Sequence, residues 1–171
     1  MDSREKLLDA ARQCLLELGH GASTIKAIAL RAGVNHGLVH HYFGSKENLM
    51  VEVITRETQM MLSRVSSAPA AEMLDVIVQE MVVSPERPRL LVEFLSMASK
   101  MPQVAKRIQI TLEKRDAMFR DKLGMGDAGL RWLLASALLG LALTRDIASD
   151  VPTEKIIDRV RQMILNSKGT V

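Results

Sequence analysis

The stretch Ile25-Lys26-Ala27-Ile28-Ala29-Leu30-Arg31-Ala32-Gly33-Val34-Asn35-His36-Gly37-Leu38-Val39-His40-His41-Tyr42-Phe43-Gly44 decides the fold. Ala29 and Gly33 stand four residues apart and Val39 follows six later, with Ile28, Ala32, Val34 and Tyr42 apolar around them. Two short helices joined by a tight turn need these residue types. A small residue at Ala29 lets the helices cross closely, and Gly33 can take the left-handed conformation of the turn. Val34 and Val39 fill the wedge between them, and Asn35 satisfies free backbone donors of the second helix. This is the pattern of a helix-turn-helix. An antiparallel helical hairpin with a glycine turn shares the spacing.

Outward from this stretch, the chain reads as helix after helix. From Arg4 to Leu18 the apolar residues Leu7, Leu8, Ala11, Cys14, Leu15 and Leu18 recur at helical spacing. Asp2 with Glu5 forms a capping pair, and Gly19 and Gly21 end this helix. Ser23 is the expected cap of the helix over about 24–32, and Ser45 that of a helix starting at Lys46. Ser66–Ala71 is a turn-rich joint. Further helices are expected at about 70–83, 85–99, 102–122 and 127–147, with a last one after Asp150 and Pro152. In that last helix Ile156, Ile157, Val160, Met163 and Ile164 form one stripe. No alternating β-branched run of strand length occurs, so the fold class is all-α.

Composition narrows the function classes. The 171 residues are 47% hydrophobic and 25% charged, which excludes a disordered or low-complexity chain. Net charge is +3, with six Lys/Arg against five Asp/Glu through Met50 and seventeen against fifteen beyond, so neither part is a basic tail. All four histidines, by contrast, fall in the first fifty residues. A single cysteine, Cys14, excludes an internal disulfide and fits a reducing cytoplasm. The charged start Met-Asp-Ser-Arg-Glu-Lys lacks the apolar run of a signal peptide. His36 and His40 stand four apart, a spacing that can bind metal, but no carboxylate or cysteine lies close in sequence and no metal site is expected. No phosphate loop, Ser/His/Asp set or paired carboxylates appear, so neither catalytic residues nor a cofactor are expected.

Residues 23–49 resemble the DNA-binding region of TetR-family transcriptional regulators. The Ile28-Ala29, Ala32-Gly33-Val34, Gly37-Leu38-Val39 and Tyr42-Phe43-Gly44-Ser45-Lys46-Glu47-Asn48-Leu49 elements all fall in register. The resemblance covers residues 1–50; beyond them only helix number and order resemble the family. It implies a three-helix reading domain over 1–45 and a helical ligand-binding and dimerisation domain over 46–171. It also implies that Thr24, His40, Tyr42 and Lys46 hold the phosphate backbone. His36, Gly37, Leu38 and His41 would face the groove, with Asn35 at the mouth of the recognition helix. Two positions depart from the family: His40 stands where tyrosine is usual, and Leu38 where threonine is common. A neutral histidine can donate one hydrogen bond to a phosphate. Leu38 exchanges a polar contact for contact with a thymine methyl. No Arg or Lys lies on the groove face, which weakens the case for bidentate guanine readout.

Eight methionines lie between Met60 and Met125, and their first meaning is adaptable core packing. The resemblance adds a deformable ligand pocket, for which Met60, Met97, Met101, Met118, Phe94 and the acid Glu93 are the candidates. At 3% aromatic the chain is poorly equipped for a quaternary-ammonium cage. Residues 128–144 carry only Arg131 as a charge, too short and interrupted a run for a membrane span. A helix apolar around most of its circumference needs protein on several sides. Trp132, Ala137, Gly140 and Leu141, with Ile157, Val160 and Ile164 of the last helix, are the candidate seam between two copies.

The sequence thus points to a cytoplasmic, homodimeric DNA-binding regulator, a repressor of a pseudopalindromic operator released by a small apolar molecule. An architectural or division-linked DNA-binding protein without an inducer is the alternative. A helical enzyme or adaptor on the same scaffold is a remoter one.

Overall fold

The computed structural model describes residues 2–69, 72–145, 147–148 and 150–167. Among them there is no strand. The helices are α1 (Ser3–Ala22), α2 (Ile25–Ala32), α3 (Gly37–Phe43), α4 (Lys46–Ser67), α5 (Met73–Val78), α6 (Glu86–Ala98), α7 (Pro102–Leu123), α8 (Ala128–Thr144) and α9 (Thr153–Ser167). A π-helical turn, Gln79–Val83, continues α5. The expected joint at 66–71 is shorter, because α4 runs on to Ser67; Ala70 and Ala71 lie outside the described residues. The helix expected over 127–147 ends at Thr144, and Asp146 likewise lies outside the description.

Two compact units are present: residues 1–60 with 89–110, and residues 61–88 with 111–171. In the first, Asp2 Oδ1 accepts from the Glu5 amide at 2.9 Å and starts α1. Leu7, Leu8, Ala11, Cys14 and Leu15 are buried as their spacing requires. Leu18, on the same stripe, is 48% exposed. Gly19 takes φ 70°, ψ 170°, open to glycine and strained for other residues, and helical geometry resumes only beyond it. Gly19 therefore breaks α1 without ending it. Ser23 is also reassigned: its hydroxyl donates to the Gly19 carbonyl at 2.6 Å, and Thr24 caps α2 by accepting from the Ala27 amide at 3.1 Å. The serine adds its hydroxyl to a carbonyl that its own amide already meets at 3.2 Å. Burial pushes the Cys14 thiol pKa up, as befits a packed side chain.

The second unit is built around Phe119, Leu123 and Met125, Leu134, Leu138 and Leu141 of α8, and Val160 and Ile164 of α9. The one charge in α8 turns inward. Arg131 is 6% exposed; its Nε and Nη2 donate to the two carboxylate oxygens of Asp116 at 2.7 and 3.0 Å. Its Nη1 donates to the carbonyls of Met125 and Gly126, both at 2.8 Å. One planar guanidinium thereby closes the α7–α8 connection and satisfies two carbonyls of the loop between those helices. Glu80, on the π turn, is similarly buried and paired with Arg64 at 2.8 Å and with Arg87. Burial pushes the carboxyl pKa up, but the two arginines outweigh it and hold the group below the usual range.

A depressed carboxyl pKa contributes stability above the unfolded value, near 4.5, that is lost as pH falls through the folded value. Glu80→Gln should therefore be less stable than the parent at pH 7 by about 2 kcal/mol. The gap should narrow in urea titrations as pH falls below 4.5 and close only once pH has passed through the lower folded value, where both proteins carry a neutral side chain.

Candidate nucleic-acid interface

The α2–α3 pair is assembled from the inside. Ala29 is buried where the helices approach, and Gly33 caps α2 at φ 65°, ψ 36° with its amide on the Ala29 and Leu30 carbonyls. The Val34 amide follows onto Ala29 O at 3.1 Å. Val39 is fully buried and Phe43 nearly so, with the Arg4 guanidinium 5.4 Å from the Phe43 ring centroid. With those two side chains inward, a helix of seven residues must turn the rest out. His36, Gly37, His40, His41 and Tyr42 are exposed and Leu38 is half-buried. Thr24 and Asn35 are exposed as well. The residues expected at DNA are thus exposed, apart from half-buried Leu38 and Lys46.

Local bonds define what several of them can do. Asn35 Oδ1 accepts from the Gly37 amide at 2.8 Å, so it braces the first turn of α3 as its residue type suggests. Thr24 uses its oxygen as an acceptor for the α2 cap, which leaves its hydroxyl proton for another partner. His40 Nδ1 lies 3.1 Å from the Gly44 carbonyl. A carbonyl only accepts, so Nδ1 carries the proton, and Nε2 of the neutral ring is left as an acceptor. In this rotamer a phosphate can be met only by the imidazolium form, which alters the role of donor drawn for neutral His40 from sequence. The edge of the His41 ring meets Tyr42, with centroids 5.0 Å apart.

Lys46 is half-buried and donates from Nζ to the His20 carbonyl at 2.9 Å; burial lowers its pKa. An ammonium has three donors, so this bond leaves two for a phosphate. Lys26 is exposed in the first turn of α2, a cation two residues after Thr24. Arg31, the other cation of α2, is held by Glu17 through both guanidinium amino groups.

The expected pocket residues scatter. Phe94 and Met97 are buried in α6, Met101 is half-buried, Met60 is 38% exposed, and Met118 belongs to the second unit. Glu93 accepts from the His20 amide at 2.7 Å, with His20 Nδ1 at 3.3 Å. The pocket of α8 and α9 is a different one, an apolar groove of about 320 Å³. Leu130, Leu133, Leu134, Ala137, Ile156, Val160, Met163 and Ile164 line it, with Lys155 and Arg159 also on its wall. Of the expected seam, Leu141, Val160 and Ile164 are buried within their own unit, whereas Trp132 is 49% exposed and Gly140 is open. Ala137 and Ile157 are half-buried. Among the described residues no group of three His, Cys, Asp or Glu side chains could hold a metal ion, and no single helix is long and apolar enough to cross a membrane.

Comparison with known proteins bears on this geometry. Residues 7–53 match the family description "Bacterial regulatory proteins, tetR family". The transcriptional repressor AcnR of Corynebacterium glutamicum is 30% identical over 86 residues, 50% of this chain and 44% of that protein, so the match spans less than half of this relative's length. A transcriptional regulator from Rhodococcus sp. Rha1 superposes with a TM-score of 0.80 at 22% identity, over 97% of this chain and 96% of its own. A regulator from Saccharomonospora viridis, solved in complex with choline, gives 0.74 at 16% identity over 95% of both chains. The matched residues make the α2–α3 region similar to the DNA-binding part of the bacterial regulatory proteins of the tetR family, and the helix order gives the whole chain the fold of those solved regulators.

Proposed function

We propose that the protein is a cytoplasmic, homodimeric repressor whose two α3 helices enter successive major grooves of a pseudopalindromic operator, and that a small apolar molecule releases it. The reading domain is taken as residues 1–45 and the ligand-binding and dimerisation domain as 46–171. One observation carries the DNA reading: α3 turns Val39 and Phe43 inward and leaves His36, Gly37, His40, His41 and Tyr42 open, with Leu38 half-buried. A groove-reading helix requires this division. Asn35 braces the entry of that helix, while Thr24, Lys26, His40, Tyr42 and Lys46 contact phosphates.

The dimer reading rests on α8. Its buried residues Arg131, Leu134, Leu138 and Leu141 occupy one side, while Trp132, Leu133, Ser136 and Gly140 lie exposed at spacings of three and four. An apolar face of this kind needs a cover, and a second copy supplies the same face in return. Leu133 and Met163 extend it into the apolar groove beside α9. Repression is supported by the AcnR relative, and effector binding by the choline complex of the structural neighbour. With 3% aromatics, this chain suits an apolar effector better than a choline-like cation.

Lys46→Ala should weaken binding to all duplex sequences by a similar factor and lower the salt slope by about one, because a phosphate contact carries no sequence information. Filter-binding titrations at several salt concentrations measure both, and an unchanged slope would remove Lys46 from the phosphate edge. Gly140→Arg should yield monomers in sedimentation, by setting an unpaired charge in the seam. Operator affinity should then fall at least about tenfold, because two linked readers raise each other's effective concentration.

A further inference from the structure

The interrupted turn of α1 is held from three directions. With Gly19 at φ 70°, the His20 amide turns away from the ladder of α1, and its acceptor is Glu93 Oε2 of α6 at 2.7 Å. His20 Nδ1 lies 3.3 Å from the same oxygen. The His20 carbonyl takes Lys46 Nζ from the start of α4 at 2.9 Å. The Gly19 carbonyl takes both the hydroxyl and the amide of Ser23, at 2.6 and 3.2 Å, and Ser23 directly precedes the cap of α2. Position 19 is confined to glycine by its backbone, and Glu93 Oε1 lies at contact distance, 3.4 Å from where a Cβ would stand.

We propose that Glu93 is a positioning residue for DNA reading: its carboxylate holds the broken turn of α1, and thereby sets the angle at which α2–α3 stand to α6. This rests on the DNA reading above and assigns Glu93 a role outside any effector pocket. A carboxylate accepting a backbone amide makes a strong, directional bond, and α6 is itself anchored in the first unit by buried Leu90, Phe94 and Met97. The bond is the point at which α6 grips the reading domain. Loss of the grip leaves each head able to read its half-site but frees the angle between that head and its own α6. The protein then discriminates less between half-site spacings.

The test uses the full chain and duplexes selected by it from a random library, followed by a series in which the half-site spacing is changed one base pair at a time. The parent should prefer one spacing by at least about tenfold, as a rigid pair of readers does. Glu93→Ala should narrow that preference to within about threefold, with half-site affinity within about twofold of the parent. Glu93→Gln keeps an oxygen for the His20 amide and should restore the preference. Should the alanine variant not fold, as judged by circular dichroism, Glu93→Asp replaces it, because one methylene fewer withdraws the acceptor while retaining the charge. A spacing preference that survives the folded variant overturns the proposal. So does an equal loss on half-site and full site, the mark of a merely structural cap. A parent that selects no duplex overturns instead the DNA reading on which the proposal rests.

Discussion

The close crossing of α2 and α3 is the constraint from which the remainder of the first unit follows. It requires a small side chain at Ala29, a left-handed turn at Gly33 and two fully inward side chains, Ile28 and Val39. Each of the last two contributes about 1.5–3 kcal/mol by leaving water. A bulky residue at 29 would wedge the helices apart and carry Val39 out of its seat. The outer face of α3 is the consequence of that seat rather than a separate design: once Val39 and Phe43 are committed inward, the residues between and around them have nowhere to go but solvent.

Charge inside the protein obeys a second constraint. Arg131, Glu80 and Glu57 are buried, and each meets an opposite charge: Asp116 for the first, Arg64 and Arg87 for the second, Arg12 at 3.0 Å for the third. Such pairs add little net stability over apolar replacements, but removing one partner leaves a charge that cannot be hydrated. They serve geometry. Arg131 fixes the short connection from α7 to α8, and Glu57 ties α4 to α1. Glu47 caps α7 from α4 by accepting the Gln103 amide at 2.9 Å. α4 is therefore held at its first turn by Lys46 and Glu47 and again further along by Glu57.

Most helices could be read from sequence because their signals are local: a carboxylate before an apolar stripe, a glycine after it, a proline at a start. The all-α class and the helix-turn-helix were legible for the same reason. What escaped was set by distant neighbours. Nothing near Leu18 reveals that it stays exposed, and Ser23 looks like a cap, yet its hydroxyl goes to the Gly19 carbonyl. Arg131 read as an interruption in an apolar helix, since Asp116 and the carbonyls of the preceding turn are invisible to periodicity. Glu93 could be singled out as an acid among apolar residues, but its partner lies 73 positions away. The α3 surface was legible by residue type, whereas the tautomer that governs His40 depends on the backbone of Gly44.

The chemistry of that surface bears on where discrimination can come from. A bidentate arginine–guanine pair is worth about 1–3 kcal/mol against a wrong base, and the exposed face of α3 offers no arginine or lysine to make one. Imidazoles give single hydrogen bonds, Gly37 gives close approach, and Leu38 gives apolar contact. Each contact on the proposed reading is therefore weaker than the strongest kind of base readout, and one head alone discriminates modestly. Two heads held at a fixed separation multiply their preferences and add the requirement that both half-sites lie at the right distance. A recognition helix of this composition shifts specificity away from base edges and toward whatever holds α3 rigid. On that reading, the small side chain of Ala29, the turn at Gly33 and the bonds around Gly19 and His20 matter as much as the histidines on the exposed face of α3.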